Sequence, residues 1–205
     1  MSDCVKPDEG KTFATIVADP NWRYQCWSEA KHGAAASQYD LADTSDIAAI
    51  PVQRWARRSS ILLLWATWPK LDQAVDVMRA WGFHLVTGLP WVKTTPSKGD
   101  IKRGIGFWWQ GTSEMLLVGR RGKAAAPKSD ERVMGLLVGD DAVFYAPRGP
   151  HSRKPPSLVE WIESRLPGPY LELYARVDRP GWTCWGHDTG YHLSERGVES
   201  LKDDA

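Results

Sequence analysis

The sequence predicts an α/β protein whose mostly parallel sheet is flanked by helices. Short apolar runs, typical of buried strands, alternate along the chain with stretches in which apolar residues recur at helical spacing. Such a β-α-β alternation is typical of parallel strands joined by crossover helices. No repeat and no linker composition divides the 205 residues. We therefore expect a single domain over 1–205, with a core over about 12–188 and an acidic tail over about 191–205.

Strands are predicted where a short apolar run is bounded by polar or turn residues. These runs span residues 13–18, 60–65, 84–92, 114–119, 142–146, 170–175 and 182–185. The chain also has 12 tryptophans, an unusual number. We expect part of them in the core, among them Trp65 and Trp68, which flank the end of the second predicted strand.

Helices are predicted over 46–58, with a kink near Pro51, and over 69–82 and 155–166. Pro69 suits the first turn of its helix and Gly82 suits the end. The segment 24–43 has neither a helical nor a strand period, and we interpret it as a mobile loop above the sheet edge. Residues after about 190 are interpreted as a frayed or helical tail.

The segment Asp19-Pro20-Asn21-Trp22 directly follows the first predicted strand. In open α/β sheets, ligands bind beyond the carboxyl ends of the strands. A carboxylate and a large aromatic ring at that edge suit the binding of a flat, amine-bearing ring whose nitrogen is modified. The same residues are equally compatible with an Asp-Pro turn in front of a core tryptophan.

Modification of a base amine explains why these residue types would be needed. The exocyclic amine of adenine or cytosine is a weak nucleophile, so acceptors that strengthen as positive charge develops on nitrogen accelerate its attack. Asp19 supplies one acceptor and the carbonyl of Pro20 could supply another. The ring of Trp22 could stack on the base, a contact worth roughly 1–3 kcal/mol. The base would have to be flipped out or single-stranded.

The segment 19–22 resembles the DPPW signature of the MT-A70 family, the S-adenosylmethionine-dependent adenine-N6 methyltransferases. Other segments resemble the family's sequence in the same order: 89–94 (LPWVKT), 106–109 (GFWW) with 114–119 (EMLLVG), 151–155 (HSRKP), 171–176 (LELYAR), and 179–182 (RPGW) with 185–186 (WG). Together they cover about residues 12–188. The resemblance implies a Rossmann-like class I methyltransferase fold in permuted order, with the catalytic strand at the N-terminus and the cofactor-binding elements towards the C-terminus.

The resemblance also implies roles for individual residues. Asp19, Pro20, Asn21 and Trp22 would form the catalytic segment that holds the base and its amine. S-adenosylmethionine would be the cofactor, with Lys154 at its methionine end. Glu172 and Arg176 would lie beside its ribose. The dipeptide after Gly186, His187-Asp188, would contact its nucleoside, and Tyr39 would lie on the substrate side.

The sequence departs from the family pattern at two places. Asn21 stands where the family has a second proline, so it frees the backbone φ and adds an amide that could contact the base. His187-Asp188 stands where the family has Asn followed by Gln or Glu. Both residues can still hydrogen-bond ribose hydroxyls, but a histidine makes that contact sensitive to pH.

The basic residues are concentrated in one segment. Residues 93–128 contain eight lysines and arginines and two acidic residues, although the whole chain has a net charge of only +1. Aromatic residues interleaved with bases suit a surface for phosphates and bases. We therefore expect substrate contacts from Lys93, Lys102, Arg103, Trp108 and Trp109; a solvated loop with mixed charges is the alternative.

Cysteine usage and hydropathy indicate a cytoplasmic protein. The three cysteines lack the spacing of a zinc site or a disulfide framework, so we expect no metal. No apolar run of membrane-spanning length and no signal-peptide pattern is present, so we expect no membrane contact. A small chain of this kind resembles prokaryotic or phage members that modify DNA. Whether a protein partner or a homodimer is involved stays open.

These observations favour methyl transfer from S-adenosylmethionine to adenine N6 in nucleic acid, with DNA favoured over RNA. Two alternatives stay open. The chain could be an inactive MT-A70-like subunit that binds nucleic acid, or it could methylate another base amine such as cytosine N4. Asp19 is the only acceptor near the amine that the sequence identifies for the departing proton.

Overall fold

The computed structural model describes residues 10–24, 41–95, 100–104, 108–128, 145–147, 154–186, 191–194 and 197–200. The strands are β1 (Phe13–Ala18), β2 (Ala56–Ala66), β3 (His84–Thr94), β4 (Ser113–Arg121), β5 (Tyr145–Pro147), β6 (Tyr170–Leu173), β7 (Trp182–Trp185), β8 (Tyr191–Ser194) and β9 (Gly197–Ser200). The helices are α1 (Thr44–Ala49), α2 (Val52–Trp55), α3 (Leu71–Ala80) and α4 (Pro156–Arg165), and a 3₁₀ turn spans Trp68–Lys70.

The main sheet has seven strands in the order β5-β3-β4-β2-β1-β6-β7. β4 is antiparallel to both of its neighbours, while the other neighbouring strands pair in parallel. This arrangement confirms the predicted α/β class and the mostly parallel sheet. It also places the first residue of β4 at the same edge as the last residues of the parallel strands.

β1 lies in the middle of the sheet, between β2 and β6, and all six of its residues are buried. Its position follows from its composition, because a strand covered on both faces needs a continuous apolar run. Alternate residues of the central strands face two different hydrophobic clusters. Leu62 and Leu64 pack on one face with residues of α1 and α3, whereas Leu63 and Trp65 pack on the other with residues of α4.

The predicted helix over 46–58 is correct in its first part and wrong in its last. It breaks at Pro51 as expected, since α1 ends at Ala49 and α2 is a single turn. However, α2 ends at Trp55 and the chain enters β2 at Ala56, which is paired with Phe13 of β1. Tertiary pairing therefore extends β2 into a stretch whose local pattern suggested a helix.

The expectation of a frayed or helical tail is also wrong. β8 and β9 form an antiparallel pair, with Tyr191 opposite Ser200 and Ser194 opposite Gly197. Paired strands satisfy the backbone donors and acceptors that a frayed tail leaves to water. The pair forms a two-stranded sheet of its own, separate from the main sheet.

Candidate active site

A cleft lies at the carboxyl edge of the sheet, where β1 and β6 end. Asp19 directly follows β1, and its N–H donates to the carbonyl of Leu173, the last residue of β6, at 3.4 Å. The cleft is open to solvent, and the empty space inside it, its mouth included, is about 590 Å³. Its lining includes Asp19, Trp65, Lys154, Glu172, Tyr174, Arg176 and Arg179.

Asp19 and Lys154 form the central ion pair of this cleft. The Lys154 ammonium lies 2.6 Å from each carboxylate oxygen of Asp19. Nη2 of Arg176 is 3.9 Å from Oδ2 of the same carboxylate. The ammonium also lies over the ring of Trp65, 5.2 Å from its centroid. Two cations, Lys154 and Arg176, therefore face the carboxylate of Asp19.

Glu114 extends this pair into a chain of alternating charges, Asp19-Lys154-Glu114-Lys93, which we call the charge chain. Its Oε2 lies 3.2 Å from Nζ of Lys154, and its Oε1 accepts a hydrogen bond from Nζ of Lys93 at 2.5 Å. The residue is only 8% exposed, so its charge depends on these partners. Burial alone would raise the pKa of Glu114, but the two ammonium groups lower that pKa below its ordinary value.

The pKa of Lys154 is shifted in the matching direction. Burial alone would lower it, but the carboxylates of Asp19 and Glu114 raise the pKa above its ordinary value. Lys154 is therefore charged at neutral pH, with one carboxylate on either side. Sequence reasoning did not identify Glu114 as a site residue. The missed signal is that an acid at the start of an antiparallel strand meets the carboxyl ends of the parallel ones.

Glu172 and Arg176 lie in the same cleft, on the side of β6. Oε2 of Glu172 accepts a hydrogen bond from Nε of Arg179 at 2.8 Å, so Arg179 is a further cleft residue that was not predicted. The structure thus brings Asp19 together with Lys154, 135 positions away, and with Glu172 and Arg176.

This donor set fits S-adenosylmethionine. A carboxylate at the carboxyl end of a strand, here Glu172, can accept hydrogen bonds from ribose hydroxyls. Lys154 and Arg176 can bind a carboxylate group.

Tyr174 is the first residue after β6, and it lines the cleft. Its backbone is strained. Its φ is +62°, in the left-handed region, which costs a non-glycine residue about 1–3 kcal/mol. Burial, helped by the carboxylate of Asp46, raises the pKa of its hydroxyl, which therefore stays protonated at neutral pH. No local pattern marks such a residue, because the strain comes from the way the chain leaves the sheet.

Trp22 does not present the open stacking face that the sequence suggested. Its side chain is in the hydrophobic core, with the residue 4% exposed, and its indole N–H donates to the carbonyl of Trp65 at 3.2 Å. The carbonyl of Pro20 already accepts the N–H of Trp22 at 2.9 Å, and the carbonyl of Asn21 accepts the N–H of Ala42 at 2.9 Å. This segment is therefore held in place mainly by backbone hydrogen bonds and by one buried ring.

The residues that were predicted to contact the substrate differ in their exposure to solvent. Lys93 is a half-buried member of the charge chain rather than part of an open basic surface. Lys102 is partly exposed, Arg103 is exposed, and Trp108 and Trp109 are 89% and 83% exposed. Tyr39, which was expected beside the substrate, lies outside the described residues, as do His187 and Asp188.

Gly186 is required for packing. A Cβ at this position would lie 1.8 Å from the carbonyl oxygen of Ala175, whose N–H donates to the carbonyl of Trp185 at 2.7 Å. Only glycine allows these two segments to approach so closely. Its packing role is independent of any contact with a cofactor, and it holds the chain beside Arg176.

Among the residues that the structure describes, no group of three His, Cys, Asp or Glu side chains is arranged to hold a metal ion. None of the helices in these ranges is both long enough and apolar enough to span a membrane.

The main sheet has one reversed strand among those described, and a cleft lies at its carboxyl edge. Together with the family match below, these features define the protein as a Rossmann-like class I methyltransferase. The chain belongs to the MT-A70 family, whose model matches residues 13–188. MT-A70 methyltransferases use S-adenosylmethionine as the methyl donor.

The chain is similar to several curated methyltransferases. It is 30% identical over 194 residues to the human N(6)-adenine-specific methyltransferase METTL4, covering 90% of this chain and 39% of that protein. It is 25% identical over 194 residues to the Type II methyltransferase M.MunI of a Mycoplasma species, covering 86% and 77%. It is 28% identical over 197 residues to the N6-methyladenosine RNA methyltransferase MTA1 of Pyricularia oryzae, covering 90% and 48%. The chain therefore spans less than half of two of these relatives.

Proposed function

We propose that this protein transfers a methyl group from S-adenosylmethionine to the N6 amine of adenine in nucleic acid, with DNA favoured over RNA. The observation that carries the proposal is the position of Asp19. It lies at the carboxyl end of the central strand, in the same cleft as Glu172, Lys154 and Arg176. The cleft thus combines an acceptor for an amine with a donor set that fits the cofactor.

S-adenosylmethionine, when bound, supplies an activated methyl group. Asp19 would accept a hydrogen bond from the N6 amine and would stabilise the positive charge that develops on nitrogen during attack. The carbonyl of Pro20 would be a second acceptor, because a carbonyl oxygen has two lone pairs and, among the described residues, the N–H of Trp22 takes one of them. Trp22 would act indirectly, since its buried ring holds the segment 19–22 in position.

Lys154 would orient the carboxylate of Asp19. It bridges Asp19 and Glu114, so it aligns one carboxylate with the amine while the other balances its charge. When the amine binds, it has to share or displace one of the two Lys154 contacts to Asp19. Asp19, which lines the cleft, would be the acceptor for the departing N6 proton, with Glu114 beyond Lys154.

The preference for DNA is supported by the relative of most similar length. M.MunI is named a Type II methyltransferase, and the match covers 77% of it, whereas the fungal relative is named an RNA methyltransferase and is covered only to 48%. We further propose that the protein forms a single cytoplasmic domain, with nucleic acid as its partner.

A second candidate function is that of a catalytically inactive nucleic-acid-binding subunit. The observation in its favour is that both oxygens of Asp19 are already engaged by Lys154. Such a subunit would bind nucleic acid without transferring a methyl group. Methylation of another base amine is tested by the same product analysis.

The test is transfer of radiolabelled methyl from S-adenosylmethionine to single- and double-stranded DNA and RNA, followed by nucleoside digestion. Wild type should produce N6-methyladenine, and Asp19→Ala should reduce transfer by about 100-fold or more while retaining cofactor binding. Asp76→Ala is the matched control, since Asp76 is an exposed acid paired only with Arg79 on α3. Equal transfer by wild type and Asp19→Ala would refute the mechanism.

A further inference from the structure

A half-exposed tryptophan contacts the strand that carries Glu114, where the sequence had suggested a core residue. Trp68 is 52% exposed and lies in the 3₁₀ turn that follows β2. Its indole N–H donates to Oγ of Ser113 at 2.9 Å, and Ser113 directly precedes Glu114. The ring is therefore anchored by one edge beside the charge chain while a large part of it stays open to water.

Tyr24 contacts Thr67, the residue that precedes Trp68. The ring of Tyr24 is 38% exposed, and its hydroxyl shares a hydrogen bond of 2.7 Å with Oγ1 of Thr67. Burial raises the pKa of this hydroxyl, and the carboxylates of Glu114 and Asp19 raise it further. That influence shows that the hydroxyl lies within electrostatic reach of the catalytic cleft.

Lys70 completes the group that we call the aromatic rim: Tyr24, Trp68 and Lys70. Its ammonium lies 5.8 Å from the centroid of the Tyr24 ring and donates to Oε1 of Gln73 at 2.8 Å. Both partners are neutral, and among the described residues no carboxylate lies within ion-pair distance of it. Lys70 therefore holds a fixed positive charge that can be neutralised by a phosphate.

We propose that the aromatic rim binds the nucleotide next to the target adenine, with its base stacked on Trp68 and its phosphate at Lys70. This inference rests on the proposed function, because it takes the cleft of Asp19 as the site of the target base. An open aromatic face beside a cation is the pattern with which proteins bind single-stranded nucleic acid. Such a face stacks on any base, so the rim positions the strand without reading its sequence.

The test uses short single-stranded DNA with a single target adenine and 2-aminopurine at one or the other neighbouring position. 2-Aminopurine lacks a 6-amino group and its fluorescence is quenched by stacking, so it reports on the neighbouring site without being methylated at N6. Wild type should quench the probe at one of the two positions. Trp68→Ala should remove this quenching and weaken binding by about tenfold, while Trp68→Phe should retain part of it.

Val86→Ala is the control for Trp68→Ala, and Lys123→Ala is the control for Lys70→Ala. Val86→Ala removes an exposed apolar side chain near the start of β3, at the opposite edge of the sheet, and should bind like wild type. Lys70→Ala should weaken binding and lower its salt dependence. Lys123→Ala should do neither, because Lys123 follows the far end of β4 and is exposed.

The rim would be refuted if wild type quenched the probe at neither position, or if Trp68→Ala quenched it as wild type does. Methyl transfer to the same oligonucleotides separates the two proposals. Quenching that depends on Trp68 without any methyl transfer would refute the proposed function and leave the rim as a surface that stacks on single-stranded nucleic acid. Methyl transfer with quenching independent of Trp68 would refute the rim alone.

Discussion

Lys154 donates to both carboxylate oxygens of Asp19 at 2.6 Å, although the two residues are 135 positions apart in the chain. The contact joins the end of the central strand to the residues that lead into α4. The same ammonium contacts Glu114 at 3.2 Å. One lysine therefore couples two acids, and the three residues come from different parts of the fold. Its removal should therefore affect binding and positioning together.

Lys154→Ala should weaken S-adenosylmethionine binding by about tenfold or more, because it removes a charge-assisted donor from the cleft. Isothermal titration calorimetry measures this effect directly. Lys123→Ala provides the matched loss of an exposed lysine and should bind the cofactor like wild type. If Lys154→Ala kept the wild-type Kd, its assignment to the cofactor would be wrong.

The pH dependence of stability should reveal the charge of Glu114. Because its folded pKa is lowered, Glu114 stabilises the fold above its unfolded pKa of about 4.3, and this contribution disappears as pH falls through the folded value. Lys154 acts in the opposite direction. Its raised pKa stabilises the fold below about pH 10.4, and that contribution is lost as pH rises through the folded value.

Glu114→Gln isolates the acidic part of this dependence. At pH 7 it should lower the free energy of unfolding by about 1–3 kcal/mol, since it removes the carboxylate that pairs with Lys93 and one of the two carboxylates that pair with Lys154. Urea unfolding from pH 7 down to pH 3 should show the difference from wild type shrinking below about pH 4. A difference that stayed constant over this range would mean that Glu114 is not ionised in the folded protein.

Trp22→Phe distinguishes a core tryptophan from a stacking one. Loss of the hydrogen bond to the carbonyl of Trp65 should lower the free energy of unfolding by about 1–3 kcal/mol. At a temperature where the variant stays folded, kcat/KM should remain close to wild type. Trp68→Phe is the exposed counterpart, and its unfolding free energy should change by less than about 0.5 kcal/mol. A raised KM with unchanged stability in Trp22→Phe would instead indicate direct contact with the base.

Gly186→Ala should destabilise the fold by about 3 kcal/mol or more, because the new Cβ would meet the carbonyl oxygen of Ala175 at 1.8 Å. The midpoint of urea unfolding measures the loss. Gly88→Ala is a suitable control, since its Cβ would approach the ends of two side chains, Cε of Met115 at 3.2 Å and Cδ2 of Leu117 at 3.3 Å, and no backbone atom closer than 3.6 Å. Equal midpoints for the two variants would contradict the packing role of Gly186.

Local sequence was sufficient to locate most of the elements of the sheet. The run 13–18 has the composition of a strand covered on both faces, and β1 occupies those residues with all of them buried. The position of Asp19 at the carboxyl end of this strand follows directly. The predicted helices over 69–82 and 155–166 are likewise confirmed by α3, with the preceding turn, and by α4. In each case a short-range pattern of apolar residues was enough.

Tertiary structure decided which of these residues meet and which rings are exposed. Glu114 reaches Lys154 because β4 runs antiparallel to its neighbours, and strand direction depends on pairing with distant segments rather than on local composition. Trp22 is buried and Trp68 is exposed, although each comes within four residues of the end of a predicted strand. The reason is physical: periodicity assigns a residue to a strand or a helix, but its neighbours in space are set by the order and direction in which the whole sheet assembles.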